Sequence, residues 1–88
     1  MAHKQFKIGE YAIGGIIDIT INKNELTIKA LDWNTKETLM GRIFDANGVD
    51  SWHIIREWLN ELTSCYYADE CMEYIQKHIS FTERAFGW

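Results

Sequence analysis

The sequence has no proline, only two cysteines and no long apolar run. Without proline, chain reversals must come from glycine, asparagine and aspartate. A membrane-spanning helix needs roughly 20 consecutive apolar residues, and no segment supplies them. The N-terminal residues also lack the apolar stretch of a secretory signal. We therefore expect a soluble, cytoplasmic protein with no membrane association.

The two thiols are poorly placed to bridge each other. Cys65 and Cys71 are six positions apart, which on one helix is a net rotation of about 240° about the helix axis. Their side chains therefore point to different faces of the helix. A disulfide needs the two Cβ atoms to face each other. We expect two reduced, partly buried thiols, as is usual for proteins inside cells.

The chain also lacks a basic surface. Its formal net charge is -4, and residues 1–44 carry six Lys/Arg against five Asp/Glu, whereas residues 45–88 carry three against eight. Proteins that bind nucleic acid need a basic footprint, so a nucleic-acid partner is not expected. The acidic second half is either a set of solvated helix faces or a patch for a basic partner.

Alternation of apolar and polar residues predicts strands in the first half. Two clear strands contain Ile17, Ile19 and Ile21, then Leu26, Ile28 and Ala30, with a turn at residues 22–24 between them. A short strand at residues 6–8 precedes them, and residues 38–44 predict another. Residues 14 and 15, both glycine, predict a bend. The polar side chains expected on the uncovered sheet face are Thr20, Thr27, Lys29 and Arg42.

After a predicted turn at residues 45–48, the period changes to that of helices, and the side chain at residue 50 or 51 could cap the first helix. One apolar stripe contains Trp52, Ile55, Trp58, Leu59 and Leu62, and a second contains Ala68, Met72, Ile75 and Ile79. The ends of the combined stripe would point in opposite directions on one straight helix. We therefore expect two helices with a break at residues 63–64, where either hydroxyl could cap the second helix. The aromatic side chains of Phe81, Phe86 and Trp88 predict that the tail at residues 80–88 docks on this chain or on another.

These elements predict a single α+β domain over residues 1–88. Its architecture is an antiparallel three- or four-stranded β-meander followed by two C-terminal helices packed on one sheet face.

No group of residues points to catalysis. Cys71 and His78 are two helical turns apart, about 10 Å, which is too far for a hydrogen bond. His53 and Glu57 share a helix face but supply only half of a metal site. We predict no catalytic residue, no cofactor and no metal.

The predicted second helix carries tyrosines among its carboxylates. Tyrosine offers a large, rigid contact area, which makes it a common anchor at protein interfaces. The alternative is that these rings pack beneath the C-terminal tail. The candidate partner-binding residues are Tyr66, Tyr67, Asp69, Glu70, Glu73 and Tyr74.

Residues 1–12, with their Lys-x-aromatic-Lys-Ile-Gly pattern, resemble the start of a small anti-CRISPR family that inhibits type II-C Cas9. A second similarity runs from residues 63–64 through Ala68 and Cys71 to Glu73 and Tyr74. The resemblance implies a small, acidic, non-enzymatic inhibitor that covers the catalytic face of the HNH nuclease domain. That family uses a serine just before its late cysteine, whereas Glu70 precedes Cys71 here, so this contact is not carried over.

The sequence therefore predicts a non-enzymatic protein–protein interaction module, of the kind that phages and mobile elements use as inhibitors. The sequence does not identify the protein partner. The alternative is a structural or regulatory subunit that self-associates, for example as a homodimer.

Overall fold

The alternating residues of the first half form a four-stranded sheet. The computed structural model of the chain describes residues 2–45 and 51–79. Its strands are β1 (Ala2–Lys7), β2 (Gly15–Asn22), β3 (Glu25–Asp32) and β4 (Thr38–Asp45). Each strand pairs antiparallel with the next, so the order in the sheet is β1-β2-β3-β4. The predicted meander is confirmed, with four strands.

Short polar turns connect the last three strands. Lys23, in the two-residue turn between β2 and β3, adopts a left-handed φ of 59°. After β3, the Asp32 carboxylate accepts hydrogen bonds from the backbone N–H groups of Thr35 and Asn34, at 2.9 and 2.8 Å. These bonds stabilise the charged carboxylate, and the bond from Thr35 contributes most. They lower the pKa of Asp32 below its usual value.

Two helices follow the sheet, α1 (Ser51–Leu62) and α2 (Cys65–His78). The predicted break at residues 63–64 is confirmed. The prediction that a hydroxyl caps α2 is wrong. Ser64 occupies the N-cap position without a capping side-chain hydrogen bond. The Thr63 hydroxyl instead donates to the backbone carbonyl of Tyr11.

The core lies between the two helices and one face of the sheet. Both predicted helical stripes are buried there, except that Trp58 is only partly covered. Burial of apolar surface of this kind is the main force that holds such a fold together. The core comprises Ile17, Ile19, Ile21, Leu26, Ile28, Ala30, Phe44, Trp52, Ile55, Leu59, Leu62, Ala68, Cys71, Met72, Ile75 and Ile79.

The predicted set of outer-face residues needs one correction. Arg42 is paired with Ile28, a core residue, and directly paired residues of an antiparallel sheet share a face. Arg42 therefore lies on the helix side, exposed beside Phe44, with its guanidinium 4.8 Å from the ring centroid. Lys29 is paired with Gly41 and lies on the other face, so a basic surface formed by Lys29 and Arg42 together is not present.

Some predictions concern residues outside the described part of the chain. They are the turn at residues 46–48, a helix cap at residue 50 and the aromatic tail at residues 80–88. Among the described helices, none is long and apolar enough to cross a membrane.

Candidate functional site

Three tyrosines meet where the loop between β1 and β2 lies beside the start of α2. The rings of Tyr66 and Tyr67 are 5.0 Å apart, edge to face, and the rings of Tyr67 and Tyr11 are 5.6 Å apart. Tyr66 is 66% exposed and Tyr11 is 55% exposed, while Tyr67 is half-buried between them. These three residues, called the tyrosine cluster below, present a continuous aromatic surface to the surroundings.

The tyrosine cluster is held by contacts between the loop at residues 9–14 and the junction of the two helices. Ala12 forms an isolated β-bridge with Thr63. The N–H of Ile13 donates to the carbonyl of Leu62 at 2.9 Å, and the Thr63 hydroxyl donates to the Tyr11 carbonyl. The loop is thus attached to the helices by backbone and side-chain hydrogen bonds. Contact residues ordered in this way lose less conformational entropy when a partner binds.

Carboxylates and an exposed isoleucine border the tyrosine cluster. A shallow hollow beside Tyr11 is lined by Glu10, Glu61 and Ile13. Ala12, Leu62 and Thr63, at the junction of the loop with the helices, complete its lining. Ile13 is 41% exposed. None of the described residues that line this hollow is Lys or Arg. The surface therefore combines aromatic rings, an apolar side chain and negative charge, which suits a partner that presents lysine or arginine.

Asp69 already has a partner within the fold. Its carboxylate forms an ion pair with the guanidinium of Arg56 on α1. The Asp69 side chain is 58% exposed, so this pair contributes little to stability. It does neutralise the charge locally, so Asp69 is the weakest of the six predicted partner-binding residues.

Glu70, Glu73 and Tyr74 lie farther along α2, beside β1. They line a groove with Lys4, Phe6 and Lys77. The Tyr74 ring packs edge-on against Phe6, with centroids 6.0 Å apart, and the Lys4 ammonium lies 5.6 Å from the Tyr74 centroid. Tyr74 is thus half-buried within the fold, and the charges around it are mixed. Of the predicted residues, the structure brings together the exposed Tyr66 and the half-buried Tyr67, and it places Tyr74 in a separate groove.

The sequence did not indicate Tyr11, Ile13, Glu10 or Glu61 as members of the site. Thr63 and Tyr11 are 52 positions apart in the chain, and no local pattern reports a contact at that distance. One feature of the loop sequence could have indicated a contact surface. It carries two large side chains, Tyr11 and Ile13, among glycines that give the backbone freedom to turn, with Gly9 and Gly14 at φ values of 72° and 75°.

The residues weighed for catalysis are dispersed. Cys71 is fully buried, and this burial, above all, raises the pKa of its thiol to about 12, with a smaller contribution from the charge of Glu70. Cys65 is exposed. The His78 ring packs 4.8 Å from that of Tyr74. Across residues 2–45 and 51–79, no group of three or more His, Cys, Asp or Glu side chains is placed to hold a metal ion.

No protein-family model, no curated protein and no solved structure matches this chain.

Proposed function

We propose that this chain is a non-enzymatic protein-binding module and that the tyrosine cluster is the centre of its contact surface. The observation that carries the proposal is the pair of exposed rings, Tyr11 and Tyr66, on either side of Tyr67. Exposed aromatic rings that are already ordered are typical anchors of protein interfaces. The partner chemistry is basic, because the nearby hollow is lined by carboxylates.

The kind of partner follows from the rings as well as from the charge. A lysine ammonium or an arginine guanidinium over a tyrosine face gains roughly 0.5–2 kcal/mol. Glu10 and Glu61 add long-range attraction that raises the association rate. A partner segment with Lys or Arg flanked by apolar residues would use both features, with its apolar side chains against Ile13. An inhibitor role, which the anti-CRISPR resemblance implies, is one use of such a surface.

The proposal is tested by capture with matched variants. The tagged full chain is incubated in a nuclease-treated lysate of its source organism, and retained proteins are identified. We expect a stoichiometric partner whose retention falls at least about tenfold with Tyr66→Ala and with Tyr11→Ala, because interface anchors of this type contribute about 2 kcal/mol or more. Ile43→Ala is the matched control, since Ile43 is 65% exposed on β4.

Two results would contradict the proposal. One is a partner retained equally by the wild type and by both tyrosine variants. The other is retention of no protein besides the chain itself. Two defined probes accompany the lysate: the HNH domain of a type II-C Cas9, and a short Lys/Arg-rich peptide compared with a Glu-rich peptide of the same length. Preference for the Lys/Arg-rich peptide, lost in Glu61→Lys, is the expected result for the charge component.

A further inference from the structure

Strand β1 forms one edge of the sheet, and helix α2 lies beside it. The rings of Phe6 on β1 and Tyr74 on α2 are 6.0 Å apart, and both residues are only partly buried. An edge strand beside a groove is the arrangement in which proteins recognise extended peptides by strand addition. The space between the two elements, called the β1–α2 groove below, is lined by Lys4, Phe6, Glu70, Glu73, Tyr74 and Lys77.

The backbone groups that β1 offers follow from its pairing with β2, whose register is continuous along the whole strand. Ile8, the residue after β1, donates its N–H to the carbonyl of Gly15 at 2.9 Å. Because hydrogen-bonded pairs alternate along antiparallel strands, the even-numbered residues of β1 bond to β2. The N–H and C=O groups of His3, Gln5 and Lys7 therefore point away from the sheet, where none of the described residues hydrogen-bonds to them.

The groove side of β1 carries aromatic rings and no net charge. The two lysines and two glutamates that line the β1–α2 groove give a formal charge of zero. The Lys4 ammonium lies 4.9 Å from the centroid of Phe6 and 5.6 Å from that of Tyr74. An apolar side chain of an added strand, placed opposite Phe6, would bury part of both rings and leave these charges in place.

The outer side of β1 is basic. Asp18 is the one carboxylate of β2 opposite the odd-numbered residues of β1, and it already accepts hydrogen bonds from His3 and Gln5. Lys7 is exposed on this side, and no carboxylate among the described residues forms an ion pair with it. A carboxylate placed opposite Lys7 on an added strand would therefore be attracted to it.

We infer that β1 binds an extended peptide by antiparallel strand addition and that this peptide alternates apolar and acidic residues. Its apolar side chains lie in the β1–α2 groove, and its acidic side chains lie on the outer face, one of them opposite Lys7. Antiparallel pairing continues the pattern of the sheet and is more stable per residue than parallel pairing. Lysine on an edge strand opposes pairing with a second copy of that strand, and here it selects a strand with carboxylates.

The test uses a capped octapeptide of alternating Val and Glu, titrated into the full chain by NMR. In antiparallel addition the peptide residues opposite Gln5 and Lys7 exchange backbone hydrogen bonds with them, and these are the Glu residues. We expect N-methylation of the Glu amides to lower the affinity at least about tenfold, because it removes those donors. N-methylation of the Val amides, which point away from β1, is the matched control and should change the affinity by less than about threefold.

The protein amides give a second readout of the same geometry. The N–H groups of Lys4 and Phe6 already bond to β2, whereas those of Gln5 and Lys7 do not. Amide exchange of Gln5 and Lys7 should therefore slow at least about tenfold when the peptide is bound, and exchange of Lys4 and Phe6 should change much less.

Charge and groove contacts are tested separately. Lys7→Glu, at an exposed position, should lower the affinity for the Val/Glu peptide about three- to tenfold and raise that for a Val/Lys peptide. Lys36→Glu makes the same change of charge at an exposed turn residue before β4 and should leave both affinities unchanged. A Glu-rich peptide without Val should bind at least about tenfold more weakly, because it places no apolar side chain in the groove.

Each contrary result overturns the inference. A chain that does not bind the Val/Glu peptide has no such site, and equal loss with both N-methylation patterns, or loss with the Val pattern alone, rules out antiparallel addition. Binding abolished by Tyr66→Ala belongs to the tyrosine cluster instead. Because Tyr66→Ala leaves β1 intact, peptide binding that survives it while partner capture fails separates this inference from the proposed function.

Discussion

Asp18 is a carboxylate buried on a sheet face where alternation alone indicates only exposure to water. It belongs to the sheet face away from the helices, yet it is only 7% exposed. Its Oδ2 atom lies 2.7 Å from Nε2 of His3 and accepts a hydrogen bond from Nε2 of Gln5 at 2.9 Å. These bonds link β2 to β1 by side chains in addition to the backbone ladder. A buried carboxylate is tolerated when partners replace water in this way.

Removal of the Asp18 carboxylate should therefore loosen β1. We expect Asp18→Ala to lower the free energy of unfolding by about 1–2 kcal/mol, the range for hydrogen bonds of a partly buried charged group whose partners regain water. Urea unfolding of Asp18→Ala, Gln5→Ala and the double variant gives the free energy of interaction between the two side chains. Thr20→Ala on the same face of β2 is the control. Strictly additive single effects would mean that the Asp18–Gln5 bond adds nothing.

The alternation of Asp18 with Ile17 and Ile19 correctly assigns it to the face away from the core, but it does not indicate that Asp18 is buried there. Alternation tells which side of a strand a residue occupies, whereas coverage of that side depends on neighbouring strands. His3 and Gln5 become neighbours of Asp18 only through the pairing of β1 with β2. Arg42 shows the converse, since it lies on the helix face yet stays exposed because the helices do not cover this part of the edge strand.

Among the structural elements, the loop at residues 9–14 has the largest influence on the candidate site. It carries Tyr11 and is attached to the helix junction through Thr63 and Leu62. One of the two hydroxyls considered as caps for α2, that of Thr63, makes this attachment, while Ser64 occupies the N-cap position without a capping side-chain bond.

Loss of the Thr63 hydroxyl should affect both stability and binding. Thr63→Val keeps the shape of the side chain but leaves the Tyr11 carbonyl without its donor, so we expect a cost of about 1 kcal/mol in unfolding free energy. Amide exchange of Ile13, whose N–H bonds to Leu62, should accelerate, and partner capture should weaken. Thr63→Ser retains the hydroxyl and serves as the control. Unchanged exchange at Ile13 in Thr63→Val would show that the hydroxyl does not hold the loop.

The elements themselves were largely predictable, unlike the site that they build. Strands β2 and β3 and the break between the helices follow from periods of about 2 and 3.6 residues, which are local properties of the chain. The tyrosine cluster depends on a contact between residues 52 positions apart. Tyr66 and Tyr67 could be nominated from the helix alone, whereas Tyr11 required knowledge of which loop reaches the helix junction.

At the scale of the whole molecule, negative charge is concentrated near the proposed contact surface. The hollow beside Tyr11 is lined by carboxylates, and the half of the sequence that forms the helices has eight acidic residues against three basic ones. The first half has six basic residues against five acidic ones, so the net charge of -4 comes from the second half. Electrostatics therefore favours a basic partner at the tyrosine cluster.

Salt should weaken binding at the tyrosine cluster. Raising the salt concentration from about 0.1 M to about 1 M shortens the Debye length from ~10 Å to ~3 Å. Attraction between the tyrosine surface and the Lys/Arg-rich peptide is then screened, and we expect its affinity to fall at least about tenfold. Apolar contacts with the tyrosine rings and Ile13 are not screened, so binding should weaken without disappearing. Fluorescence titration of the peptide at the two salt concentrations measures the effect, with the Glu-rich peptide as the control. An affinity that does not change with salt would mean that charge does not contribute to binding at this surface.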